Sequence, residues 1–67
     1  MEIEKDRFSH RDENDWNIFE RNKIAGFYNI YDPRSQIMTG LTKERYDFIL
    51  EYYEEIENQI NNKKTSQ

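Results

Sequence analysis

Residues 43–64, KERYDFILEYYEEIENQINNKK, contain neither glycine nor proline, whereas both glycines and the single proline of the chain fall between residues 26 and 40. A long run without either helix breaker reads as a helix, because no position in it carries their large propensity cost. Thr42 stands where an N-cap belongs, and its hydroxyl can accept a hydrogen bond from a backbone N–H of the first turn. Glu44 and Asp47 lie near the positive end of the helix dipole, and Lys63 and Lys64 near its negative end. The pattern predicts a helix from Lys43 to Asn61 or Asn62.

On a helical wheel Tyr46, Ile49, Leu50, Tyr53, Ile56 and Ile60 fall within an arc of roughly 120°, which defines the face turned to a core. Tyr46, Ile49, Tyr53, Ile56 and Ile60 also follow the 3-4 spacing of a coiled coil, but two heptads are too few to specify one. Phe48 lies about 160° and Tyr52 about 100° from the centre of the stripe, and their i, i+4 spacing lets the rings touch. This second aromatic pair needs a cover, either Trp16 and Phe19 or another molecule.

Upstream, Ile24-Ala-Gly-Phe-Tyr-Asn-Ile-Tyr31 is rich in aromatic and β-branched residues and reads as a strand. Asp32-Pro33 suits the first two positions of a type I turn, and Gln36–Gly40 reads as a short second strand. Gly26 within the first run implies a bulge or a close backbone approach. Before the hairpin, Asp12, Glu13, Asn14 and Asp15 precede a short helix carrying Trp16, Ile18 and Phe19 and reaching about Asn22. Residues 1–10 read as a flexible arm with a short strand near Ile3, and residues 63–67 as a frayed polar tail. The expected fold is therefore α+β in one small domain: a short N-terminal helix, a β-hairpin and a long C-terminal helix packed on the hairpin.

Composition limits what such a domain can do. With 67 residues, 34% hydrophobic and 36% charged, the core must be small, and the 15% aromatic content must supply much of it. No cysteine is present, so neither a disulfide nor a thiolate metal site can form. The N-terminus lacks the apolar region of a signal peptide, and no apolar run approaches the ~20 residues of a membrane span. A cytoplasmic protein without a membrane partner is the expectation.

No set of residues points to catalysis. His10 is the sole histidine and reads as a solvated surface residue. His10, Asp12, Glu13 and Asp15 cluster in sequence, yet the calcium-loop pattern fails. Counted from Asp12, Trp16, Asn17 and Lys23 occupy positions that require Asp or Asn, Gly and Glu. Two glycines do not make a phosphate-cradling loop, and a chain this short has little volume for a cleft that raises a carboxyl pKa. No cofactor and no enzymatic activity are expected.

The net charge of −4 is concentrated: residues 43–57 hold six acids against two basic residues. Glu44, Asp47, Glu51, Glu54 and Glu55 form one acidic arc beside Phe48 and Tyr52. Phe48 and Tyr52, ringed by Asp47, Glu51 and Glu55, are therefore the expected partner-binding surface. Aromatic residues are enriched at interfaces, and clustered acid steers a basic partner. The function expected is a non-catalytic protein–protein interaction module, an inhibitor or adaptor that occupies a larger, basic-surfaced protein. A DNA-mimic inhibitor of a nucleic-acid-binding protein is one alternative, and a small nucleic-acid-binding regulator acting as a homodimer is another. Direct nucleic-acid contact through Phe27, Tyr28 and Tyr31 is disfavoured, because only Lys23 and Arg34 are at hand to meet phosphate.

Overall fold

The structure, a computed structural model, describes residues 7–65. It contains four helices: α1 (His10–Ala25), α2 (Pro33–Thr39), α3 (Lys43–Glu51) and α4 (Tyr53–Thr65). No strand occurs among the described residues, so the domain is all-helical and the expected β-hairpin is absent. The short strand expected near Ile3 lies outside the described residues, as do residues 1–6 of the arm and 66–67 of the tail.

The residues read as hairpin punctuation are helix boundaries. Gly26, at φ +72°, is the left-handed C-cap of α1, and Gly40, at φ +77°, closes α2 in the same way. A left-handed backbone favours glycine, since it has no Cβ to strain. Asp32 is the N-cap of α2 and accepts from the Arg34 backbone N–H at 2.9 Å, with Pro33 at the first helical position. Asp-Pro suits this role as well as a turn, so the dipeptide alone does not separate the two. An isolated two-stranded hairpin is also marginal in water, and the second expected strand spanned only Gln36–Gly40.

α1 is longer than expected at both ends. Its cap is Ser9, whose hydroxyl accepts from the Asp12 N–H at 3.2 Å while the Asp12 carboxylate accepts from the Ser9 N–H at 3.1 Å. This is a capping box with aspartate in place of glutamate.

The expected long helix begins at Lys43 beneath its Thr42 cap, which accepts from the Arg45 N–H at 3.2 Å. It is distorted at Tyr52, where φ is −105° and ψ is 24°, although the backbone bonds from Tyr52 to Phe48 at 3.0 Å and from Ile56 to Tyr52 at 2.9 Å are kept. Beside the distortion the Trp16 indole N–H donates to the Tyr53 carbonyl at 3.1 Å. A side chain reaching into the backbone ladder is one of the few causes of a helix kink. The helix then continues to Thr65, past the expected start of the frayed tail.

Phe8, Trp16, Phe19, Tyr46, Ile49 and Ile56 form the buried core. Ile49 is fully buried, as its place in the apolar stripe predicts, whereas Leu50, Tyr53 and Ile60 pack against the core half-buried. Trp16 stacks on Tyr53 at 5.2 Å, and Phe19 packs on Tyr46 at 5.0 Å.

A polar knot locks α2 and the preceding loop against α1 and α3. Ser35 is 0% exposed; its hydroxyl oxygen accepts from the Asn22 amide at 2.8 Å and lies 2.9 Å from the Tyr46 hydroxyl, to which it can donate its own proton. The Tyr46 hydroxyl also lies 2.6 Å from the Ile30 carbonyl. Buried polar groups are tolerated when every partner is supplied, and here the arrangement fixes where the 27–32 loop runs. No helix among the described residues is long and apolar enough to cross a membrane.

Candidate functional site

The knot at Ser35 has a consequence for the surface. It holds Ile30 against the core and leaves Tyr31, the next residue, 75% exposed. Tyr31 overhangs the outer side of the α3–α4 junction. Together with Phe19, Ile30, Leu50 and Tyr53 it lines an open hollow of about 410 Å³ whose rim carries Glu51, Glu54 and Glu55. A second hollow of about 160 Å³ shares Ile30, Tyr31 and Leu50 and adds Pro33, Tyr46 and Asp47. The two share Ile30, Tyr31 and Leu50 and adjoin as one open groove, in which apolar side chains stand beside Glu51, Glu54, Glu55 and Lys23.

The electrostatics of the rim are uneven. Among the described residues, Glu51, Glu54 and Glu55 form no ion pair, whereas Asp47 is paired with Lys43 at 2.8 Å. Lys23 enters the larger hollow but is engaged already. Its ammonium hydrogen-bonds the Tyr53 hydroxyl at 2.8 Å, lies 4.4 Å from the centre of that ring and pairs with Glu20 at 3.5 Å. The bond to the Tyr53 hydroxyl outweighs desolvation and, with Glu20, holds the Lys23 ammonium above the ordinary lysine range. Burial, together with the hydrogen bond to Glu20, pushes the Tyr53 phenol up. Lys23 is thus a charged, tethered wall of the groove.

The residues expected to form the working surface do not stay together. Asp47, Glu51 and Glu55 border the groove. Phe48 and Tyr52 pack on one another at 5.0 Å, as their spacing predicts, but on a separate aromatic cluster. Their cover is neither Trp16 nor Phe19, which pack on Tyr46 and Tyr53, but Phe8, whose ring lies 6.2 Å from Phe48 and 6.0 Å from Tyr52. The Arg45 guanidinium flanks Phe48 at 5.0 Å. Both residues of the pair are half-buried as a result.

The acids at the start of α1 have structural partners. Arg45 reaches from α3 to Asp12 at 2.5 Å and to Asp15 at 3.0 Å, joining the two helices. Burial pushes the Asp12 carboxyl up, but hydrogen bonds from Arg45 and the Ser9 backbone outweigh it and hold the group below the usual carboxylate range. Glu13 meets Lys63 at 2.8 Å and also accepts from Gln59. No group of three or more potential metal ligands occurs among the described residues.

Tyr31 is the site residue that sequence reasoning placed elsewhere. The aromatic run reads as a strand, whereas Tyr31 lies in the loop pinned by Ser35 and Tyr46 and is exposed there. Phe27, at 70% exposed, and Ile24, Ile37 and Met38 are likewise turned to solvent in this part of the chain.

No known protein family, no characterised protein and no solved structure matches the chain.

Proposed function

We propose that the protein is a non-catalytic interaction module that engages a basic-surfaced protein partner through the Tyr31 groove. The observation that carries this reading is the joining of an exposed tyrosine, the apolar side chains of Phe19, Ile30 and Leu50 and three carboxylates without ion partners in one open hollow. Interfaces use an aromatic anchor for affinity and peripheral charge for steering and specificity, and the groove offers both. The reading keeps Asp47, Glu51 and Glu55 from the surface expected from sequence. It replaces the anchors Phe48 and Tyr52, already packed on Phe8, with Tyr31.

The test compares the immobilised wild-type protein with a Glu51→Gln/Glu54→Gln/Glu55→Gln variant in capture from cell extract. Wild type should retain a partner that elutes with salt. The variant, folded by circular dichroism, should associate with it at least about tenfold more slowly at low ionic strength. Equal association rates and equal salt dependence would remove the groove from the contact surface.

A further inference from the structure

The chain builds the same three-part arrangement twice with its own side chains. Lys23 lies 4.4 Å from the Tyr53 ring centre and pairs with Glu20 at 3.5 Å. Arg34 lies 4.4 Å from the Tyr28 ring centre while its Nε and Nη2 donate to the two oxygens of Asp32 at 3.1 and 2.8 Å. Each is a tyrosine face, a cation over it and a carboxylate at the cation's edge. Tyr31 shares its hollow with Glu51, Glu54 and Glu55 and makes a third set of the same components without a cation on the ring: the residue is 75% exposed, no ring or cation of the described residues stacks on it, and Lys23, which lines the same hollow, is held on Tyr53 and Glu20.

We infer that an arginine of the partner completes this set, its guanidinium stacked on Tyr31 and its N–H groups directed to the Glu51, Glu54 and Glu55 rim. This assignment rests on the interaction reading above and names the chemistry of the occupant. Arginine suits the place better than lysine. Its planar guanidinium lies flat on a ring while five N–H donors remain at its edge, enough for more than one carboxylate. Lysine brings a point charge that Lys23 already supplies nearby. The adjoining 160 Å³ hollow is lined by Ile30, Pro33, Tyr46 and Leu50 together with Asp32, Gln36, Lys43 and Asp47, presents more apolar than polar surface, and so suits an apolar side chain beside the arginine. Because one hollow is acid-rimmed and the next is largely apolar, and Tyr31 divides them, the occupant is a peptide segment with an arginine next to an aliphatic residue. A free polyamine satisfies only the first hollow.

The probe is a blocked peptide carrying Arg-Leu between glycines, titrated into the ¹⁵N-labelled full chain at millimolar concentration. Matched peptides carry citrulline for arginine or alanine for leucine, and spermidine serves as the polyamine control. Amide shifts should fall on residues 30–31 and 50–55, and the citrulline peptide should lose them. Tyr31→Ala should weaken binding by roughly threefold to thirtyfold, while Tyr31→Phe, which keeps the ring face, should stay within about twofold. The side chain is exposed enough for both variants to fold, and their unbound spectra verify it.

Equal binding of the citrulline peptide, spermidine as good a ligand as the peptide, shifts centred on Phe8, Phe48 and Tyr52, or no shift at all would each overturn the assignment. Groove shifts on raising protein concentration alone would put a second copy there and overturn it too. If the peptide fails while the salt-sensitive partner still distinguishes wild type from the glutamine variant, the arginine assignment falls and the interaction reading stands. If the glutamine variant keeps its partner unchanged, both fall.

Discussion

Phe8 decides whether the Phe48–Tyr52 pair is part of the fold or part of the surface, and Phe8→Ala measures it. The residue precedes α1 and is 6% exposed, although α1 itself does not include it. It is fastened to α4 through its backbone. Its N–H donates to the Gln59 side-chain oxygen at 3.0 Å, and its carbonyl accepts from the Gln59 amide at 3.0 Å. The ring then closes on Phe48 and Tyr52. Truncating an enclosed phenylalanine costs about 3–5 kcal/mol, and the low end applies where neighbours can collapse into the gap. Phe48 and Tyr52 are half-buried and can do so, which sets the expected loss at about 3 kcal/mol.

For a chain of this length the whole stability is roughly 3–10 kcal/mol, so the variant should lose a large share of it. Its Tm should fall by about 12–24 °C, at 4–8 °C per kcal/mol for a domain of this size. Urea unfolding followed by far-UV circular dichroism gives the free energy, and an unchanged m-value excludes a change in the unfolded ensemble. Gln59→Ala should cost about 1–2 kcal/mol, and the double variant less than the two losses added, since both act on one strap. A loss under about 0.5 kcal/mol for Phe8→Ala would refute the reasoning. Phe8 would then not be seated, and Phe48 and Tyr52 would return as anchors of the partner surface.

Arg45 is the other inter-helix fastening. Arg45→Met removes the cation that Asp12 and Asp15 share and leaves Asp15 only the long, exposed contact to Arg11 at 3.9 Å; because Arg45 is 20% and Asp15 9% exposed the loss should lie near 2–3 kcal/mol, between the exposed and the buried limits; a loss below about 0.5 kcal/mol in urea would show that the pairs are ordinary surface contacts. The same network sets a pH dependence: the Asp12 pKa is lower folded than its ordinary value of 3.8, so its contribution is present above that value and disappears as pH falls through the folded pKa. Urea midpoints at pH 6 and pH 3 should therefore differ in wild type, and the difference should shrink in Arg45→Met, where only the Ser9 bonds still hold the Asp12 carboxyl down. Removing residues 63–67 should cost about 1 kcal/mol, chiefly the half-exposed Lys63–Glu13 pair, and Lys63→Ala should reproduce most of it; a truncation without effect would dismiss that pair.

The sequence was most legible where local and tertiary preferences agree. Thr42 caps α3, and the stripe residues Tyr46, Ile49 and Ile56 are buried, because cap chemistry and apolar periodicity point the same way. The distortion at Tyr52 has no local sign. No glycine or proline stands there, and the distortion coincides with packing by residues far away in sequence, Trp16 on Tyr53 and Phe8 on Tyr52. The hairpin failed for a different reason. Gly26, Asp32-Pro33 and Gly40 serve strands, turns and helix caps alike, so the reading was decided by the aromatic run between them.

That run carries the functional argument. Aromatic residues in a short chain are ordinarily assigned to the core, yet Phe8, Trp16, Phe19, Tyr46, Ile49 and Ile56 fill this core without Phe27, Tyr28 or Tyr31. Single exposed apolar side chains need no explanation, but Ile24, Phe27, Tyr31, Ile37 and Met38, all prominent at the surface, fall within one short stretch of chain. Folding gains little from them, and solubility is poorer for them. Only Tyr31 among them also lines the hollow that holds Glu51, Glu54 and Glu55, acids without ion partners. It is the residue at which contact with another molecule would return what the fold does not use.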